Sequence, residues 1–155
     1  MTLIKEKKVS SILTGVSGEY FAAAELSRRG YIASITLRNT KGIDIVASNE
    51  EGSKTINIQV KTSSKSTKGW ILNKKAEEMD DKNMFYIFVR LNELEERPQF
   101  HIVPTSFVAN QVKKGHQNWL DTPGKNGRKR KDSNMRKFED PENKFLDKWE
   151  LLGLD

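Results

Sequence analysis

The stretch MFYIFVRL, residues 84–91, holds seven apolar side chains and a single arginine. Successive side chains of a strand point to opposite faces, so an apolar run without alternation belongs where both faces are covered. This run predicts a buried central strand, and with it a sheet sandwiched between other layers.

The neighbouring segments supply the rest of that architecture. YIASITL, IDIVAS and TINIQVK read as three strands, the last two joined through NEEGS as a hairpin-like turn. QFHIVP reads as a strand closed by Pro104. VSGEYFAAAELSRRGY reads as a helix with Ser17 as its cap, Glu19 in its first turn and Gly30 as its stop. TSFVANQVKKG reads as a second helix, capped by Thr105 or Ser106, and residues 74–81 as a shorter one. NKFLDKWELLGLD reads as a closing helix over about 142–152, with Phe145, Trp149 and Leu152 at helical spacing. The expected fold is α/β (α+β), with a mixed sheet of about five strands flanked by helices.

A length of 155 residues suits one domain, expected to span 1–155. There is no cysteine, which removes disulfides, thiolate metal sites and cysteine nucleophiles. No apolar run is long enough to cross a bilayer, and the first residues lack the apolar stretch of a secretory leader. A cytoplasmic protein with no membrane partner is the expectation. The net charge of +6 is local: residues 124–137 hold seven Lys/Arg and one Asp. Within a basic loop expected at about 122–140, Arg128, Lys129, Arg130 and Lys131 point to a polyanion such as nucleic acid. A solvated loop accounts for the same composition.

The hairpin carries the chemistry. In TINIQVK, Ile56, Ile58 and Val60 fall on one face, and Asn57, Gln59 and Lys61 on the other. In IDIVAS, Ile43, Ile45 and Ala47 share a face, and Asp44 lies opposite. Pairing of these strands would bring an acid, an amide oxygen and an ammonium to one surface. The same alternation also describes the polar side of any half-exposed strand.

The order GID, about a dozen residues, then IQVK resembles the PD-(D/E)XK nuclease superfamily. The QxK variant looks like that of the Mrr-type restriction endonucleases. The upstream GEYFAAAELSRRGY is similar to the first helix of archaeal Holliday junction resolvases. The resemblance covers residues 17–62 and the strands MFYIFVRL and QFHIVP. It implies a restriction-endonuclease-like fold and Mg²⁺-dependent hydrolysis of DNA, with Mn²⁺ as a substitute. It further implies that Asp44, Gln59, the Val60 carbonyl and Glu19 hold the metal, and that Lys61 contacts the attacking water or the scissile phosphate. DNA, double-stranded or branched, is the implied partner, and many relatives dimerise, so a homodimer belongs to the same expectation.

Ser63, Ser64, Lys65 and Lys68 follow Lys61, and Arg38 precedes Asp44; all are candidates for phosphate contact, or for a solvated loop. His101 and His116 have no acid spaced for a triad and read as structural. Trp70 reads as core or rim rather than as a base-stacking platform, and Trp149 as core. No nucleotide-binding fingerprint is present. Two rivals to a nuclease stay open: a non-catalytic nucleic-acid-binding module on the same fold, and a protein-interaction subunit.

Overall fold

The computed structural model describes residues 7–37 and 41–155. Helix α1 (Ser11–Arg28) starts one turn and more before the expected cap: the Ser10 hydroxyl accepts from the Leu13 amide at 3.2 Å. Ser17 lies inside the helix, donating its hydroxyl to the Thr14 carbonyl at 2.8 Å. Gly30, at φ +90°, ends the helix as expected, and the Tyr31 amide folds back to the Leu26 carbonyl.

The main sheet has five strands, β1 (Ile32–Ile35), β2 (Ile45–Ser48), β3 (Thr55–Ser64), β5 (Met84–Leu91) and β6 (Gln99–Pro104), in the order β1-β2-β3-β5-β6. All neighbours are antiparallel except β3 and β5. The parallel step needs a crossover, which runs through β4 (Trp70–Asn73) and a 3-10 turn, Lys74–Glu78. Strand β4 pairs with β7 (Met135–Phe138) as a two-stranded ribbon.

Two apolar clusters cover the sheet. On one face, Gly18, Ala22 and Leu26 of α1 and the C-terminal Trp149 and Leu152 meet Ile45, Ile58, Val60 and Ile87. On the other, the ribbon and helix α2 (Thr105–Asp121) meet Tyr86, Phe88 and Val103 through Trp70, Phe138, Val108 and Val112. The buried strand read from MFYIFVRL is β5: its first six residues are buried, alternating between the two clusters. Gly18 marks where α1 crosses β3, because a methyl there would overlap the Thr62 hydroxyl.

Several expectations change. Pro104 is the N-cap of α2, and the Thr105 hydroxyl instead joins Asp81, donating to its carbonyl at 3.0 Å. Helix α2 continues past His116 to Asp121. No regular closing helix spans 142–152. Only Trp149–Leu152 forms a 3-10 turn, and Asn143 and Asp147 take left-handed φ near 54° and 53°. Phe145 belongs to one cluster and Trp149 to the other, so their helical spacing reflects a chain passing round the end of the sheet. On the way this segment pairs with β6: Ile102 N–H donates to the Phe145 carbonyl, and Asp147 N–H to the Phe100 carbonyl.

Arg128–Lys131 lie in an irregular stretch, as expected of a basic loop, within a segment that also holds regular structure. It contains a 3-10 turn, Lys125–Gly127, and then β7. Arg136 is 3% exposed and its Nε donates to Glu77 at 2.6 Å, so this arginine is structural. No helix among the described residues is long and apolar enough to cross a membrane.

Candidate active site

Regular pairing of β2 with β3 runs from Ser48–Thr55 to Ile45–Ile58 and stops there. At the next residue Asp44 continues by a different pattern. Its amide donates to the Ile58 carbonyl at 2.9 Å, and its Oδ2 accepts from the Val60 amide at 2.7 Å. The carboxylate thus replaces a main-chain acceptor where the two strands part. On the other side, the Thr36 amide donates to the Asp44 carbonyl at 2.9 Å, bracing the same peptide from the β1 end.

Gln59 and Lys61 flank Val60 in the chain and lie on the face opposite Ile58 and Val60, opposite Tyr86 and Phe88 in the register. Asp44 lies just outside β2, past the last regular pair, and its carboxylate is placed by the bond from the Val60 amide between Gln59 and Lys61. The Val60 N–H and C=O point the same way along the pleat, so its carbonyl also faces the gap beside Asp44. Gln59 and Lys61 are half-buried, and among the described residues neither side chain has a hydrogen-bond or ion-pair partner within the protein.

This part of the face is polar because the second layer stops short of it. The ribbon and α2 lie over β5 and β6, where Tyr86, Phe88 and Val103 are buried. Over β2 and β3 the same face carries Val46, Ser48, Asn57, Gln59 and Lys61, all only half-buried. Tyr86, next to Gln59, has its hydroxyl pushed up to about 12 by burial, so it stays protonated at neutral pH.

The remaining candidates scatter. Glu19 follows Gly18 on α1, at the point where the helix meets Thr62. Ser63 is buried with no partner for its hydroxyl, and Lys65 pairs with Glu93. Lys68 is exposed in the loop before Trp70. Arg38 lies outside the described residues. Arg128, Lys129 and Lys131 are exposed, whereas Arg130 stacks over Trp119 at 4.7 Å. His116 also stacks on Trp119 and bonds Asp132 at 2.7 Å, tying the basic turn to α2. Both histidines thus have acid partners from distant sequence, His101 with Asp140 at 2.7 Å, and Trp70 is core at 3% exposure. Arg90 escaped attention, although a single charge in an otherwise apolar strand was its signal; it lies opposite Ser63, on the Lys61 face.

Among the described residues no group of three or more His, Cys, Asp or Glu could hold a metal ion. A cation at Asp44 would draw on its carboxylate and on neutral oxygens from Gln59 and Val60, all hard donors of the kind Mg²⁺ takes.

No protein-family model matches the sequence, and no curated protein matches it. Among solved structures, the bacterial homing endonuclease I-Ssp6803I superposes with a TM-score of 0.53 at 18% identity, covering 94% of this chain and 94% of its own. A Holliday junction resolvase, Hjc from the archaeal hyperthermophile Archaeoglobus fulgidus, superposes with a TM-score of 0.44 at 16% identity, over 81% and 88% of the two chains. The mixed five-stranded sheet flanked by helices is thus a restriction-endonuclease-like fold.

Proposed function

We propose that the chain is a metal-dependent DNA endonuclease whose site is the parting of β2 and β3. The observation that carries this reading is the 2.7 Å bond from the Val60 amide to Asp44 Oδ2, which fixes the carboxylate beside the backbone linking Gln59 to Lys61. Asp44, Gln59 and the Val60 carbonyl would hold Mg²⁺, or Mn²⁺ in its place. Glu19 on α1 is the further ligand that the resemblance implies. The metal would neutralise a phosphodiester and acidify a water.

The chain's own groups have separate parts. Asp44 needs no side-chain rearrangement, since Val60 already holds one of its oxygens. The Gln59 amide oxygen ligates without adding charge, so the site binds its cation weakly. Lys61 places a compact positive charge against a non-bridging phosphate oxygen as negative charge grows there. The attacking water gives up a proton to solvent as its oxygen bonds to phosphorus, one P–O ester bond breaks, and the departing alkoxide takes a proton from solvent. The exposed Arg128, Lys129 and Lys131 grip the backbone without reading sequence, so binding weakens steeply with salt.

The test uses supercoiled and branched DNA with Mg²⁺ or Mn²⁺, comparing wild type with Lys61→Ala and Asp44→Ala. Loss of cleavage in both variants supports the site; cleavage that survives in both refutes it. The neutral Gln59 at the second acidic position favours a second reading, a DNA-binding module that does not cut. Calorimetric titration with Mn²⁺ separates them, since absence of metal binding together with retained DNA affinity selects the module.

A further inference from the structure

At the end of the face that carries Lys61, a cavity of about 400 Å³ opens between the loop after β3, the ends of β5 and β6, and residues 139–143. Its wall holds an arginine without an acid. Arg90 donates to the carbonyls of Ser64, at 3.2 Å, and Thr67, and its guanidinium covers the Trp70 ring at 4.6 Å. Among the described residues it has no carboxylate partner, and burial alone holds it below the usual arginine value.

The other charges in the wall are already matched, with one exception. Asp140 accepts from His101 and from the Lys144 and Phe145 amides at 2.8 and 2.9 Å. Glu139 pairs with Lys137 at 2.6 Å, and Lys65 with Glu93. Lys68 has no such partner among the described residues, which leaves Arg90 and Lys68 as the unmatched cations. His101, 3% exposed, lines the same cavity. Asp140 holds its Nδ1 at 2.7 Å, and its Nε2 has no protein partner among the described residues. Gln99 adds an amide opposite Arg90 on β6.

We propose that this cavity is a second phosphate subsite, which takes a nucleic-acid backbone phosphate flanking the one at Lys61. Arg90 and Lys68 supply the charge, and the Gln99 amide and His101 Nε2 face the adjoining sugar. The proposal rests on the nuclease reading for the identity of the polyanion. Three features select a backbone phosphate. A planar guanidinium matches its oxygens. The volume accommodates a phosphate with its sugar. Arg90 stands opposite Ser63, two residues along β3 from Lys61 and on the same face.

The test uses the full chain without metal. Inorganic phosphate added to ¹⁵N-labelled protein should shift the Arg90 Nε–H and Gln99 side-chain resonances; shifts confined to other residues would overturn the proposal. Binding of a short single-stranded oligodeoxynucleotide is then followed across about 50–200 mM salt. Arg90→Gln and Lys68→Gln should each weaken binding several-fold and lower the log K against log salt slope by about 0.7. Unchanged slopes in both variants would also overturn it. Lys68 is exposed, so its variant remains informative if Arg90→Gln disturbs the loop it holds. The nuclease reading fails on cleavage that ignores Asp44 and Lys61; this subsite fails on metal-free binding that ignores Arg90 and Lys68.

Discussion

One face of the sheet is built in two ways. Over β5 and β6 it is apolar and sealed, with Phe88 stacked on Phe138 at 4.3 Å and on Tyr86 at 5.2 Å beneath the ribbon and α2. Over β2 and β3 it is polar and uncovered, and Asp44 is positioned by main-chain hydrogen bonds. The sealed half is held by shape and tolerates little change of volume. The open half owes its geometry to the backbone, so its side chains can be altered for chemistry at small cost in stability.

The sharpest break of this contrast is Phe88→Ala, which should destabilise the fold by about 3–5 kcal/mol in denaturant unfolding, because the cavity lies inside the aromatic stack. Asp44→Asn should do the reverse. An amide oxygen still accepts from Val60, so stability should stay within about 1 kcal/mol, while metal-dependent cleavage falls by about a hundredfold or more. A large loss of stability with Asn would show that the charge, rather than the acceptor, braces the strands. Gly18→Ala probes the support under the open half. The added methyl meets Thr62 and pushes α1 off β3, at an expected cost of about 1–3 kcal/mol by thermal unfolding.

A smaller effect comes from Glu25, 7% exposed on α1. Burial alone would raise its pKa, but Arg97, Arg28 and Arg29 together bring it below the usual glutamate value. A folded pKa below the unfolded one means that this stabilisation is present above about pH 4.3 and is lost as pH falls through the folded value. Between pH 7 and pH 3, wild type should therefore lose more stability than Glu25→Gln; parallel curves would refute the linkage. Smallest is Lys129→Gln, at an exposed position. Stability should change by less than about 0.5 kcal/mol, and DNA affinity should fall mainly at low salt.

Strand periodicity made much of this legible. The run at 84–91 and the alternation in β3 gave the buried strand and the shared face of Gln59 and Lys61, because pleating maps sequence parity directly onto sides of a sheet. What local pattern could not carry was the destination of long-range partners. Nothing near Arg136 announces Glu77, and nothing near His116 announces Asp132. Helical spacing at Phe145, Trp149 and Leu152 misled because Asp147, left-handed at φ 53°, turns the chain between Phe145 in one cluster and Trp149 in the other. Glu19 lay on a helix, as read, but the face that α1 covers depends on Gly18 meeting Thr62 some forty residues later.

The pairing of residues 145–147 along β6 has an outcome for assembly. Among the described residues, β1 is then the sheet's other border strand, where a strand from another chain could add. The Thr36 amide ties β1 to the Asp44 carbonyl, so any such addition would pull on the peptide that positions the carboxylate. Association through that border and the setting of the cation pocket would then be coupled through Thr36, whose amide and hydroxyl both hold the Ile43–Asp44 backbone.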